Sequence, residues 1–311
     1  MRKSLLGAIC LTLAASIWGG MYVVSKYVLK YISPFPLLFL RYAIGVIVLT
    51  AVLWITSRRN RRVPSMQLGS RTTWWKSVIL FAWIGFIGYF VSVGSQFVGT
   101  KLADAHTGAL ITAASPAFIF VFARFLLGER LSGRKVRSLV LASMGVIVVV
   151  GWNFSKGTHL LGNLYLLLAA VTWALLSVYA KVAARYHSSL AVTTYALAFA
   201  LVFTAPVAYH QWDSYQLQAL SHPLLLAGVL YLGVVSTALA FFLWNKGMEL
   251  MDAGPGSLFF FFQPVVGGLF GWLLLGEQLT WNFFAGGVLI VIGVAMAVLN
   301  APEEVQLSLQ E

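Results

Sequence analysis

Stretches of roughly twenty apolar residues, the length that carries an α-helix across the hydrocarbon of a bilayer, recur along the whole of this chain. They fall at 5–29, 35–56, 75–97, 103–127 and 136–152 in a first half, and at 161–184, 190–209, 223–246, 254–275 and 281–299 in a second. They are apolar on all faces. A membrane-spanning strand alternates polar and apolar residues, so helices are expected and a barrel is not. Only 10% of the 311 residues are charged, against about 25% in ordinary soluble domains, too few to cover a water-soluble fold of this size. A cleaved secretory leader does not explain the pattern, because the apolar stretches continue far beyond the first. The expected fold is an all-α integral membrane protein with ten transmembrane helices.

The net charge of +12 comes from basic residues set between the apolar stretches. There they orient helices and meet anionic headgroups, so no nucleic-acid partner is indicated. With the N-terminus inside, Arg2, Lys3, the basic run 58–76, Arg130, Arg134, Lys135, Arg137, Lys181, Arg185 and Lys246 share the cytoplasmic side. The opposite side receives Lys26, Lys30, Lys101 and Lys156. This bias predicts both termini in the cytoplasm, with 301–311 a disordered tail. Cys10 is the single cysteine, which excludes an internal disulfide and Cys-based metal or redox motifs. His106, His159, His187, His210 and His222 show no ligand spacing, so neither a metal nor a cofactor is expected.

The second half repeats the first. An offset of 148 residues sets Pro116 on Pro264 and also pairs Gly99 with Gly247, Asp104-Ala105 with Asp252-Ala253, and Gly108 with Gly256. The same offset pairs Leu127-Gly128-Glu129 with Leu275-Gly276-Glu277 and Gly145-Val146 with Gly293-Val294. Leucine matches are cheap in apolar sequence, but matched prolines, glycines and carboxylates are not. Trp18 corresponds to Trp173 at a slightly different offset of 155. Five spans is an odd number, so the second copy enters the bilayer in the opposite sense. Residues 1–153 and 154–300 are therefore expected to form two inverted five-helix repeats. Carriers use such duplication to expose a midplane site to one side and then the other.

The segment Ala15-Ser16-Ile17-Trp18-Gly19, the stretch from Pro36 to Arg41-Tyr42 and the duplicated Pro-to-Leu-Gly-Glu pattern, followed by Ser132 and Thr280, carry a resemblance. Over essentially its whole length the chain resembles the drug/metabolite transporter superfamily in its ten-helix EamA-domain form. The resemblance implies a bacterial inner-membrane protein with a cavity lined by helices one, three, four, six, eight and nine, helices five and ten standing aside. It further implies a secondary transporter of small metabolites, an exporter of amino acids or related amphipathic solutes working by alternating access. An enzyme is not expected, since the usual catalytic motifs are missing. The alternatives are an organic-anion or sugar-phosphate exchanger, which would need more core cations than Arg41, and a non-transporting sensor or structural protein. The expected partners are the lipid bilayer and a small-molecule solute, with the chain a monomer or homodimer.

All nine carboxylates fall at helix ends, in loops or in the tail, whereas proton-driven pumps keep an ionisable group deep in the membrane. Arg41, a few residues into the second helix, is the exceptional charge. It reads as a partner for a solute carboxylate or phosphate, or as a cation held by helix-end carbonyls or by Asp104. Trp18, Tyr22, Ser92, Gln96 and Ser115 in the first half, with Trp173, Tyr179, Trp244, Asn245 and Gln263 in the second, carry polar groups that need partners or water inside the bundle. Together with Arg41 they form the candidate substrate-binding set. Single hydroxyls, including Thr112 and Ser177, have a local alternative in the preceding helical turn. Trp18 and Trp173 lie too deep for the interfacial aromatic belt and read equally as cavity wall or packing. The run Phe259 to Phe262 suits aromatic solutes if it points inward and lipid if outward. Pro116 and Pro264 each remove a helical hydrogen bond, as gates or simple kinks. Glu129 and Glu277 are expected to bond free amides at their own turns, beside the N-caps Ser132 and Thr280. The glycine pairs 19–20, 267–268 and 286–287 read as close helix contacts.

Overall fold

A computed structural model describes residues 2–59, 71–102, 111–150, 160–276 and 278–298. Among them there are helices and turns and no strand. α1 is Arg2–Val28 and α2 is Pro34–Arg59. α3 joins Arg71–Trp83, a π-helical stretch Ile84–Ser92 and Val93–Leu102. α4 is Ser115–Phe122 with a π-helical end, Ala123–Leu127, and α5 is Gly133–Val150. α6 is Leu160–Ala184 and α7 is Ser189–Gln211. After a short helix, Ser214–Ala219, α8 joins Pro223–Gly233, a π-helical stretch Val234–Leu239 and Ala240–Leu250. α9 joins Ala253–Ser257, a 3₁₀ segment Leu258–Phe261 and Phe262–Leu275, and α10 is Trp281–Val298.

Eight of these helices, α1 to α3 and α6 to α10, are long and apolar enough to cross a membrane. Ten were expected. The remaining pair fall short for visible reasons: the apolar helix Ser115–Leu127 is short, and the first turns of α5 carry Arg134, Lys135 and Arg137. The segment expected at 103–127 begins with residues 103–110, which lie outside the described ones, as do 60–70 in the basic run. Large apolar side chains such as Ile47, Phe125 and Trp281 stand exposed on the outside. A surface of that kind is stable against lipid and not against water.

Helix pairing crosses between the halves. α1 packs on α8 and α9, α6 packs on α3 and α4, and α2 lies along α7. α5 and α10 pack mainly on each other, where glycines replace side chains. A Cβ on Gly145 would lie 2.7 Å from the carbonyl oxygen of Gly286, and one on Gly286 would lie 2.5 Å from that of Gly145. Gly19 gives α1 and α9 the same proximity, since a Cβ there would meet the Gln263 carbonyl oxygen at 2.6 Å. Without a hydrophobic drive between helices in lipid, such backbone approach is a main source of association.

The bundle has two distinct ends. At one, Gln216 is buried and ties loops together: its side-chain oxygen accepts from Ser33 N at 2.9 Å and its nitrogen donates to Gln211 O at 2.9 Å. Asp213 caps the short helix there by accepting from Gln216 N at 2.8 Å. Those amide donors, the backbone one first, hold the Asp213 carboxyl below its ordinary pKa. The other end gathers the last residues of α4, α6 and α8 with the first of α5, α7 and α9, and is held by charge.

Candidate substrate cavity

Between the middle of the bundle and the Gln216 end lies a cavity of about 520 Å³, its opening included. α1 contributes Trp18 and Met21, α2 Arg41, and α3 Ser92, Val93, Gln96 and Phe97. Thr112, just before α4, and Ser115, its first residue, line it, with Ala169 and Trp173 from α6, Phe241 from α8, and Phe260 and Gln263 from α9. The expectation from resemblance covered these helices except α2, which enters through Arg41 alone.

Aromatic rings form the inner boundary. Trp18 packs edge-on to Trp173, centroids 5.2 Å apart, and lies 5.6 Å from Phe241 and 5.5 Å from Trp244. Phe260 completes the group, 6.1 Å from Trp173 and 5.7 Å from Trp244. Separations and tilts of this kind suit the ring quadrupoles. The rings stop the cavity from continuing through the bundle.

Arg41 is 1% exposed, about 10 Å in from the start of α2 at ~1.5 Å per residue. Its Nε donates to Thr237 Oγ1 at 2.8 Å, and its Nη2 reaches Ser236 Oγ at 3.4 Å and the Met21 sulfur at 3.6 Å. The guanidinium lies 5.9 Å from the centre of the Phe97 ring. These partners are hydroxyls, a thioether and a ring face, not the helix-end carbonyls considered from sequence. Asp104, the other partner considered, lies outside the described residues. Arg41 Nη1 has no hydrogen-bond partner among the described residues. A buried cation without a carboxylate is costly, so a site that keeps one leaves electrostatic demand for an anion.

The other candidates separate into three groups. Trp18, Ser92, Gln96, Ser115, Trp173 and Gln263 join Arg41 around the cavity. Ser92 and Ser115 are also bonded to backbone, Ser92 Oγ to Ala169 O at 2.9 Å and Ser115 Oγ to Thr112 O at 2.7 Å. Trp244 stands behind the wall, its Nε1 donating to Ser177 Oγ at 3.1 Å. Asn245 donates to Tyr89 Oη at 3.0 Å and Thr193 Oγ1 at 2.9 Å, while Tyr42 Oη donates to Tyr89 O at 2.7 Å. That chain fastens α2, α3, α7 and α8 together beside the cavity. Tyr179 is placed away from it, against Trp83 at 6.3 Å, and the Tyr22 side chain lies outside the described residues. Met21, Phe97 and Phe241 were not candidates. Their only sequence signal is apolar spacing, which core residues share.

Pro116 begins the helical part of α4 after a turn at 113–114, where no backbone donor is needed. Pro264 lies in the first turn of Phe262–Leu275, just after the 3₁₀ segment. Both prolines therefore mark breaks in helix regularity beside the cavity.

The opposite end is tied together by ion pairs and hydrogen bonds. Gly128, at φ 73°, ends α4 in the left-handed conformation, as Gly276 at φ 69° ends α9, and glycine adopts this without the Cβ penalty. The reversal brings Glu129 to the start of α9, where its carboxylate accepts from Ala253 N at 2.6 Å and Gly254 N at 3.1 Å. Lys181 Nζ lies 3.8 Å from Glu129 and donates to Met248 O at 3.0 Å and to Met251 O. Lys135 pairs with Asp252 at 3.1 Å and Lys246 with Glu249 at 2.6 Å, and Ser189 Oγ donates to the Glu249 carboxylate. Glu129 was expected to serve its own turn. It serves the other half's helix instead, because the left-handed glycine turns the chain away from α4 and the free amides of α9 form an anion site. Ser132 does accept from Lys135 N, at 3.3 Å, as its own turn's cap. Glu277 lies outside the described residues.

A helical bundle with an apolar exterior and a partly polar, aromatic-walled cavity lined by both halves has the build of a membrane transporter. The model described as the EamA-like transporter family matches residues 5–151 and 160–299, and the chain belongs to that family. It is similar to the uncharacterized transporter YoaV of Bacillus subtilis (strain 168), 28% identical over 306 residues, 95% of this chain and 97% of that one. It is 27% identical over 300 residues to a protein of Escherichia coli (strain K12) described as a probable amino-acid metabolite efflux pump, covering 93% of each. A solved crystal structure matches with a TM-score of 0.77 at 24% identity, over 94% of this chain and 96% of that one, and supports the fold.

Proposed function

We propose that this EamA-family transporter is a ten-helix secondary carrier of two inverted five-helix repeats, exporting amino acids or related amphipathic solutes by alternating access. The carrying observation is the cavity, which holds a buried cation, lies where the two halves cross and is walled off by aromatic rings. The family match in two segments, the 148-residue offset and the reciprocal packing of α1 on α8–α9 and α6 on α3–α4 support the repeat. α4 and α5 then complete the ten spans. The Glu129 end, which bears Arg130, Arg134, Lys135, Lys181 and Lys246, faces the cytoplasm with both termini under the positive-inside rule, and the protein resides in the inner, or plasma, membrane. The described state is closed inside, and the breaks at Pro116 and Pro264 serve as gating points. The amino-acid substrate draws support from the description of the Escherichia coli relative.

Purified protein in sealed proteoliposomes, loaded with a panel of labelled amino acids, tests this reading. Saturable efflux competed by unlabelled solute is the expected result. Correctly folded protein that supports no such flux for any member of the panel would sink it. Arg41 is the single cation among the cavity-lining residues described, which disfavours sugar phosphates, since they call for several.

A further inference from the structure

Among the lining side-chain atoms that are sealed from solvent, the unmet hydrogen-bonding capacity has one sign. Two described side chains that line the cavity keep a buried polar atom without a partner, Arg41 at Nη1 and Trp173 at Nε1, and both atoms are donors. The neighbouring indoles show that the gap at Trp173 is not general. Trp18 Nε1 donates to Ser236 O at 3.0 Å and Trp244 Nε1 to Ser177 Oγ. An unmade donor in a desolvated site costs most of its hydration free energy, so a ligand that brings acceptors is rewarded there and one that brings donors is not. Arg41 further selects charge. Its remaining N–H groups are held by Thr237, Ser236 and the Met21 sulfur, which fixes the guanidinium and leaves Nη1 buried and unpartnered in the cavity wall. No Asp or Glu is among the cavity-lining residues described, so an ammonium finds only ring faces and neutral oxygens.

We infer, resting on the transport reading above, that the cavity takes an organic carboxylate on an aromatic or other apolar body. The carboxylate pairs with Arg41, Trp173 Nε1 donates to an acceptor of the same solute, and an amino group on that solute is dispensable. The order of preference is anion first, zwitterion next and cation last.

The test uses three phenyl compounds of similar size, 3-phenylpropanoate, L-phenylalanine and 2-phenylethylamine, titrated against the full chain in detergent with binding read by tryptophan fluorescence. 3-Phenylpropanoate is expected to bind at least tenfold more tightly than the amine, as one charge-assisted hydrogen bond provides. Arg41→Gln is expected to abolish that ratio and Arg41→Lys to keep part of it. Trp173→Phe, which keeps a ring and removes the N–H, is expected to weaken 3-phenylpropanoate about five- to tenfold without a matching loss for the amine. Equal binding of amine and acid, or an unchanged ratio in Arg41→Gln, overturns the inference. If the amine is both favoured and carried in proteoliposomes, the carrier reading survives without it. If no solute of the wider amino-acid panel is carried either, both fall together. Should Arg41→Gln fail to fold, the Arg41→Lys and Trp173→Phe pair decides.

Discussion

The two halves of this chain share a frame and differ in what they put inside it. At the 148-residue offset, Ser92, Val93, Gln96 and Thr112 correspond to Ala240, Phe241, Trp244 and Phe260. The first-half residues line open space, while three of their counterparts belong to the ring cluster that bounds it. Local backbone form is retained in both halves: π-helical stretches occupy Ile84–Ser92 and Val234–Leu239, and left-handed glycines stand at 128 and 276. The comparison separates two jobs. Repeated glycines and helix breaks place the helices, and side-chain volume then decides which end of the bundle is hollow and which is plugged.

Giving the second half the first half's side chains is the strongest way to break this contrast. Phe241→Val with Phe260→Thr should empty the plug, and truncating buried aromatics costs about 3–5 kcal/mol each where the site cannot collapse. Thermal unfolding in detergent should show a large fall in midpoint. An unchanged midpoint would mean that the rings do not hold the halves together. A smaller effect is expected at the charged closure. Glu129→Ala strands the Ala253 and Gly254 amides at a cost of about 1–3 kcal/mol and should shift the population toward opening at that end. With Cys10 replaced by Ser, a cysteine at Ser257 should then react several-fold faster with a polar thiol reagent applied from the Glu129 side, and equal rates would refute the latch.

The smallest effect sharpens the contrast between two turns. Ile32 is fully packed in the α1–α2 turn, while the α6–α7 turn holds His187 at the corresponding place, 155 residues on. His187 Nε2 lies 2.9 Å from Ser77 Oγ, and burial lowers its pKa below the ordinary imidazole value. The folded state therefore binds this proton less readily than the unfolded chain. Its stabilising share is complete above the unfolded imidazole pKa and is lost as pH falls through the lower folded value. A slight drop in unfolding midpoint on acidification, absent in His187→Gln, is the expected outcome.

Much of the frame was legible because membrane helices announce themselves by length and apolarity. The expected limits at 161–184 and 281–299 match α6 and α10 within a residue. Seven of the eleven candidate site residues line the cavity, with Arg41 the clearest of them, since a charge inside an apolar stretch needs a reason. What escaped was three-dimensional. Hydropathy carries no trace of the π-helical stretches. Asn245 and Tyr179 share polarity with the cavity residues, but the amide nitrogen of one is committed to Tyr89 and Thr193 and the other faces Trp83. Glu129 was assigned to the wrong partner because sequence proximity favours the local turn, and only the fold brings α9's start to it.

The wide turns in α3 and α8 fix rotational phase. A turn closed by an i to i+5 bond holds one residue more than an α-turn, and each extra residue swings everything after it about 100° around the helix axis. Ser92 closes such a stretch in one half and Gln96 and Phe97 follow it, as Phe241 and Trp244 follow the one in the other. An uninterrupted α-helix of the same sequence would aim these side chains more than a quarter-turn away, toward neighbouring helices or lipid. Which residues a solute meets is thus written partly as an angle, and deleting one residue from either wide turn would re-aim a whole wall at once.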